Sequence, residues 1–121
     1  MIVLGLMVAG ALGSVARVVV DAIVASRLGR SFPVGTLVIN VSGSALLGVL
    51  TGLVLHRGWP DASATILGTG FCGGYTTFST HAVDTVELAR AGDRGAAVRN
   101  VAANLVLGTA AAALGLAVTA W

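Results

Sequence analysis

The sequence predicts an all-α membrane protein of four transmembrane helices, the third broken at mid-membrane. Three observations predict it. Of the 121 residues, 56% are hydrophobic and 10% charged, with a mean hydropathy of +0.95, whereas soluble domains carry roughly a quarter of their residues as Asp, Glu, Lys and Arg. A helix needs about 20 mostly apolar residues to cross a bilayer, so four spans use the chain almost completely, as a single transmembrane domain over residues 1–121. One apolar stretch is then interrupted by "CGGYTTFST", Cys72 to Thr80, a run of glycines and hydroxyls that lipid does not favour.

Span 1 covers about residues 2–26. Its first arginine is Arg17, so the N-terminus lacks the basic region of a cleavable signal and reads as a true span. "RLGRSFP", Arg27 to Pro33, breaks the helix and carries two arginines. Span 2, residues 34–55, repeats Thr36, Asn40, Ser44, Gly48 and Gly52 every four positions, which places them on one stripe facing protein rather than lipid. "HRGWPD", His56 to Asp61, leads into span 3, about residues 62–91, with Trp59 suited to the membrane interface. "RAGDRG", Arg90 to Gly95, leads into span 4, about residues 96–121, where Asn100, Asn104, Gly108 and Ala112 repeat the small and polar stripe. Amides at such positions bond across helices or line a wet pathway, and two stripes with three amides favour a pathway.

The arginines predict the orientation. Arg27, Arg30, Arg90, Arg94 and Arg99 fall on the side of the 1–2 and 3–4 connections, and only Arg57 falls on the side of the termini. Both termini are therefore expected outside the cell membrane, with the arginine-rich loops in the cytoplasm.

Much chemistry is excluded. All seven basic residues are arginines, so there is no lysine for a phosphate loop, a Schiff base or a nucleophile. A formal charge of +2 does not point to nucleic acid. The single cysteine, Cys72, forms no intrachain disulfide and reads as a packing residue, and His56 and His81 are too few for a Cys/His metal cluster. Asp84, Glu87 and the histidines make no recognisable catalytic set, so the chain is not read as an enzyme.

The broken span carries the functional signal. From Ala62 to Gly73 is about 12 residues, or ~18 Å of helix, against roughly 15 Å to the bilayer midplane. The glycines are therefore expected near the membrane centre, with the helix opening there. Backbone groups freed at that depth must be buried in protein or line a cavity. Free carbonyls there coordinate cations, while hydroxyls and helix N-termini donate to anions. Phe78 carries partial positive charge on its ring edge and can face a small anion.

These residues resemble a known family. "GTGFCGGYTTFST" resembles the signature of the CrcB/Fluc fluoride channels, four-span proteins that pair antiparallel, one subunit inverted against the other. "GALGSVAR" (Gly10 to Arg17), "GTLVINVSGSALLG" (Gly35 to Gly48) and "NVAANLVLG" (Asn100 to Gly108) resemble the family's motifs in spans 1, 2 and 4. The resemblance implies a fluoride-specific channel subunit that passively exports cytoplasmic fluoride and lowers its toxicity. It implies a structural Na⁺ at the dimer centre, held by the carbonyls of Gly73 and Thr76 from both subunits. It also implies a fluoride pathway through Asn40, Phe78, Ser79, Thr80 and Asn104, with Arg17 near the aqueous vestibule, and two parallel pores per dimer.

Two features depart from that pattern. The family motif usually reads TTFSTF, and here the second phenylalanine is His81; a glutamate expected three residues on is Asp84. An imidazole edge can replace the ring as a donor, or this subunit has lost one ring site and relies on a partner that keeps it. Dual insertion would require balanced arginines, and five against one is not balanced. A heterodimer with an inverted homologous subunit is favoured over a homodimer. Two rivals stand beside this reading. A small multidrug-type proton-coupled exporter would need a carboxylate deep in span 1, whereas Asp21 lies past Arg17 and could simply pair with it. A non-conducting assembly subunit would show no ion flux.

Overall fold

In the computed structural model, which describes Met1 to Trp121, the chain is helical throughout, with no strand. Helix α1 spans Ile2–Leu28 and α2 spans Val34–Arg57. A third passage follows in pieces: α3 (Asp61–Thr65), a π-helical stretch (Ile66–Cys72), α4 (Gly73–Tyr75) and, after a break, α5 (Phe78–Arg90). Helix α6 spans Arg94–Val118. Helices α1, α2 and α6 are each long and apolar enough to cross a membrane. The glycines Gly29, Gly58 and Gly92, which end α1, α2 and α5, have positive φ, where a side chain would be strained.

Helices α2 and α6 run parallel. Asn40 pairs with Asn104, Gly48 lies on the Ala112 backbone, and Arg57 donates from Nε to the Thr119 carbonyl at 3.2 Å and from Nη2 to that of Trp121 at 2.6 Å. Parallel packing puts the end of α2 and the start of α6 at opposite ends of the molecule, so the pieces between them cross it. The N-terminal part of α1 meets the first half of that crossing, with Gly5 against Ile66 and Gly13 against Phe71 and Tyr75. Both termini and the α2–α3 connection thus share one end. Arg57, the lone arginine there, neutralises the carbonyl end of α6.

Only 19 of 121 residues are buried, so no large apolar core holds the bundle together. Helices meet instead through close backbone approach at small residues. A Cβ on Gly115 would strike the Ala45 carbonyl, and one on Gly74 would strike the Gly10 carbonyl. The outer face of α1 presents Met7, Leu12, Val15 and Val18 to the surroundings, as a lipid-facing helix does.

The break corrects one expectation. It falls at Thr76 and Thr77, whose backbones are extended (φ −77°, ψ 162° and φ −149°, ψ 123°), and not at the glycines, which stay helical. Gly70 and Gly74 are needed for the approach of α1, with Leu6 and Ala9 over Gly70 and Gly10 over Gly74. Glycine at these positions permits close packing; conformational freedom is used elsewhere. About 15 residues precede the break and 13 follow it, so it divides the passage nearly in half. The π stretch, in which the Gly73 N–H donates to the Gly68 carbonyl five residues back, widens the helix ahead of it.

Candidate functional site

The break frees backbone groups, and side chains from distant helices take some of them up. Thr77 N–H donates to Asn40 Oδ1 at 2.9 Å, and Asn40 Nδ2 returns a hydrogen bond to the Thr77 carbonyl at 3.1 Å. Asn40 thus replaces a missing turn of helix. Thr77 Oγ1 accepts from Thr80 N–H at 3.2 Å and caps α5. Thr77→Ala is expected to lose this cap, about 1 kcal/mol, read as a lower melting temperature of the detergent-solubilised protein.

Two carbonyls lose their usual donors by the same arrangement. In a continuous helix Gly73 would accept from Thr77 N–H and Thr76 from Thr80 N–H, but those donors are given to Asn40 and to Thr77 Oγ1. The space above Gly73 is open to at least 4 Å. Neutral, hard oxygens of this kind suit a cation such as Na⁺ or Ca²⁺, and a single subunit offers only two.

Beside the break lies a groove of about 560 Å³, lined among others by Asn40, Gly73, Thr76, Phe78, His81 and Asn104. Phe78 is 82% exposed, and its ring centroid lies 6.3 Å from that of His81, tilted by 56°. The N-terminus of α5 opens at the same place, with the positive end of its dipole toward the break. The groove therefore combines ring edges, amide groups and a helix N-terminus, all suited to a small anion.

Six residues nominated from the sequence meet in this groove, and three lie elsewhere. Ser79 is exposed on the first turn of α5, with its Oγ 3.3 Å from Thr77 Oγ1. Thr80 lines a second cavity, about 410 Å³, at the arginine-rich end with Asp21, Arg30, Thr36, Asp84 and Glu87. Arg17 sits half-buried on α1, one turn past Gly13, and does not line that cavity. The Arg17–Asp21 pair that the sequence allows is not formed. Asp21 turns toward Gly35 and reaches Arg30 at 3.8 Å, because the start of α2 packs on that face of α1.

Sequence reasoning passed over several groups that the fold makes central. Thr36 donates to Asp84 Oδ2 at 2.8 Å, Ser42 Oγ lies 2.9 Å from Tyr75 Oη, and Asn100, fully buried, joins Thr85, His81 and Asn104. Thr36 and Asn100 were visible in the four-residue stripes. The cap role of Thr77 had a signal too, a threonine just before a new helical run. The pairings of Thr36 with Asp84 and of Asn100 with Thr85 and His81 had none, since they join different helices.

Comparison with known proteins gives a consistent result. A family described as "CrcB-like protein, Camphor Resistance (CrcB)" matches residues 4–116. A protein of Symbiobacterium thermophilum named "Fluoride-specific ion channel FluC 1" is 52% identical over 113 residues, 91% of this chain and 90% of the relative. One of Mycobacterium tuberculosis named "Fluoride-specific ion channel FluC 2" is 48% identical over 112 residues, 93% of this chain and 86% of the relative. One of Leifsonia xyli, "Fluoride-specific ion channel FluC 1", is 47% identical over 116 residues, covering 96% and 85%.

Proposed function

The chain belongs to the CrcB-like family, and from that premise we propose that it is a fluoride channel subunit whose ion passes the groove beside the Thr76–Thr77 break. It is a multi-pass membrane protein and a channel, not an enzyme. The observation that carries the assignment to this groove is the convergence of Asn40, Asn104, Phe78, His81 and the N-terminus of α5 on one side of the break.

Fluoride is small and strongly hydrated, so a pore must replace its water with close donors without binding it too tightly to leave. Imidazole and amide N–H, hydroxyls and a polarised ring edge offer donors of graded strength. In the conformation described, both Asn40 amide hydrogens are engaged, with Thr77 and Asn104. Asn40 then supports the pathway wall while Phe78, exposed and adjacent, faces the ion. Ser79 and Thr80 continue the track toward the arginine-rich cavity, which Thr80 lines and Arg17 does not. An inside-negative membrane drives the anion outward, by about 2.3 kcal/mol per charge per 100 mV. No chemistry on the ion is required, and fluoride that enters as neutral HF leaves passively.

The Gly73 and Thr76 carbonyls, which lack their helical donors, would hold a structural Na⁺ together with the same pair from a second subunit; bound there, the cation offsets the cost of an anion in low dielectric. The resemblance to the family implies that this second subunit is inverted. The five-to-one arginine bias supports one insertion direction, termini outside, and hence a heterodimer with a homologous chain of opposite bias. Relatives numbered 1 and 2 in their names are consistent with that reading.

Reconstitution into liposomes tests it. Fluoride efflux is expected when this chain is co-expressed with an inverted homologue, with chloride efflux absent and little flux from the chain alone. Robust flux from the chain alone would overturn the heterodimer. Absence of fluoride flux in both preparations would overturn the channel.

A further inference from the structure

We propose that Asn100 is a positioning residue of the ion pathway: its side-chain amide donates to His81 Nδ1 and holds the neutral imidazole in the tautomer that leaves Nε2–H for the groove. The inference begins at the break, where Thr77 N–H, which can only donate, meets Asn40 Oδ1 at 2.9 Å. That contact orients the Asn40 amide, whose Nδ2 donates to Asn104 Oδ1 at 3.0 Å. Asn104 Nδ2 in turn donates to Asn100 Oδ1 at 3.2 Å, and to the Asn100 carbonyl at 3.0 Å. Three amides therefore point one way along α2 and α6. At the end of the series Asn100, with 0% exposure, has only N–H left to offer.

Its two acceptors are on α5. Asn100 Nδ2 donates to Thr85 Oγ1 at 2.9 Å and lies 3.3 Å from His81 Nδ1. The Thr85 hydroxyl gives its own hydrogen to the His81 carbonyl at 2.8 Å, so its oxygen receives. His81 Nδ1 must receive as well, and a neutral imidazole with a bare Nδ1 carries its proton on Nε2. His81 lines the groove with Phe78 and Asn104. The carboxylates on its own helix are turned away, Asp84 to Thr36 and Glu87 to the arginine-rich cavity. The ring thus presents an N–H where the family motif places a second phenylalanine edge. Its consequence for conduction rests on the fluoride-channel reading; the tautomer itself does not.

The test is ¹⁵N NMR of histidine-labelled full-length protein in lipid nanodiscs above the imidazole titration range, with any partner subunit unlabelled and His81 assigned by His81→Phe. A bare Nδ1 and a protonated Nε2 are expected for His81 in the wild type. Asn100→Leu is expected to populate both tautomers, and Asn100→Asp, whose carboxylate can only accept, to favour Nδ1–H. A wild-type ring protonated on Nδ1, or one whose tautomer neither substitution changes, would overturn the proposal. The wild-type spectrum decides even if both variants misfold. In liposomes Asn100→Asp is expected to lower fluoride efflux about tenfold with His81 present, and less than about twofold in the His81→Phe background. Equal losses in the two backgrounds would show that Asn100 does not act through His81. Absence of flux in every preparation would count against the channel reading and leave the spectra to decide the tautomer.

Discussion

Replacing Asn40 by leucine is expected to abolish fluoride efflux and to destabilise the subunit by roughly 2–6 kcal/mol, the cost of leaving two buried backbone groups unpaired. Asn40 pairs with both the N–H and the carbonyl of Thr77 while bonding Asn104. Leucine keeps the approximate volume and offers neither donor nor acceptor. Thr77 is buried and lipid offers its backbone groups no partner, so the break is expected either to close into helix or to shift. Either change moves Phe78 and the start of α5 relative to the groove. Asn40→Asp separates the two functions of the amide. It keeps the acceptor for Thr77 N–H and loses both donors, so it is expected to retain more stability than leucine while still losing most flux. Fluoride efflux from liposomes and thermal melts in detergent check the pair. Leucine at wild-type flux would show that Asn40 supports nothing the ion needs.

The second large effect is expected at adjacent glycines with opposite outcomes. A Cβ on Gly74 would collide with the Gly10 carbonyl and press on the Gly10 carbon at 3.0 Å. Backbone cannot rotate aside as a side chain can, so Gly74→Ala is expected to cost about 3 kcal/mol, at the upper end for overpacking. Loss of the folded subunit by size-exclusion chromatography is the readout. Gly73→Ala meets nothing within 4 Å and is expected to leave the subunit's melting temperature within a few degrees. If Gly73 faces a second subunit as proposed, the same alanine weakens pairing and flux with the fold intact. Equal melting temperatures for the two variants would contradict the packing of α1 on α4.

These two cases show where sequence reasoning reached and where it stopped. The run Cys72 to Thr80 announced an opened helix, but glycine content suggested the wrong hinge. Gly70 and Gly74 face a neighbouring helix, and the chain opens at Thr76 and Thr77 because side chains elsewhere replace the lost helical bonds. Asn40 and Asn104 were legible as members of polar stripes. Asn100 stood in the same stripe, yet its place at the end of a directed series of amides depended on Thr77, Thr85 and His81. Arg17 and Asp21 look like natural partners at one helical turn, and the packing of α2 gives Asp21 to Arg30 instead.

The sequence by itself determined the helical class, the apolar character of the chain, the arginine bias and the family, because these depend on composition, on periodicity along one helix and on contiguous motifs. The tertiary structure alone decided which residues close the break, which carbonyls lose their helical donors and which way the amides point. The Asn40–Thr77 and Asn40–Asn104 hydrogen bonds join residues 37 and 64 positions apart. No local pattern records such a pairing; it exists only once α2 and α6 lie parallel beside the broken passage.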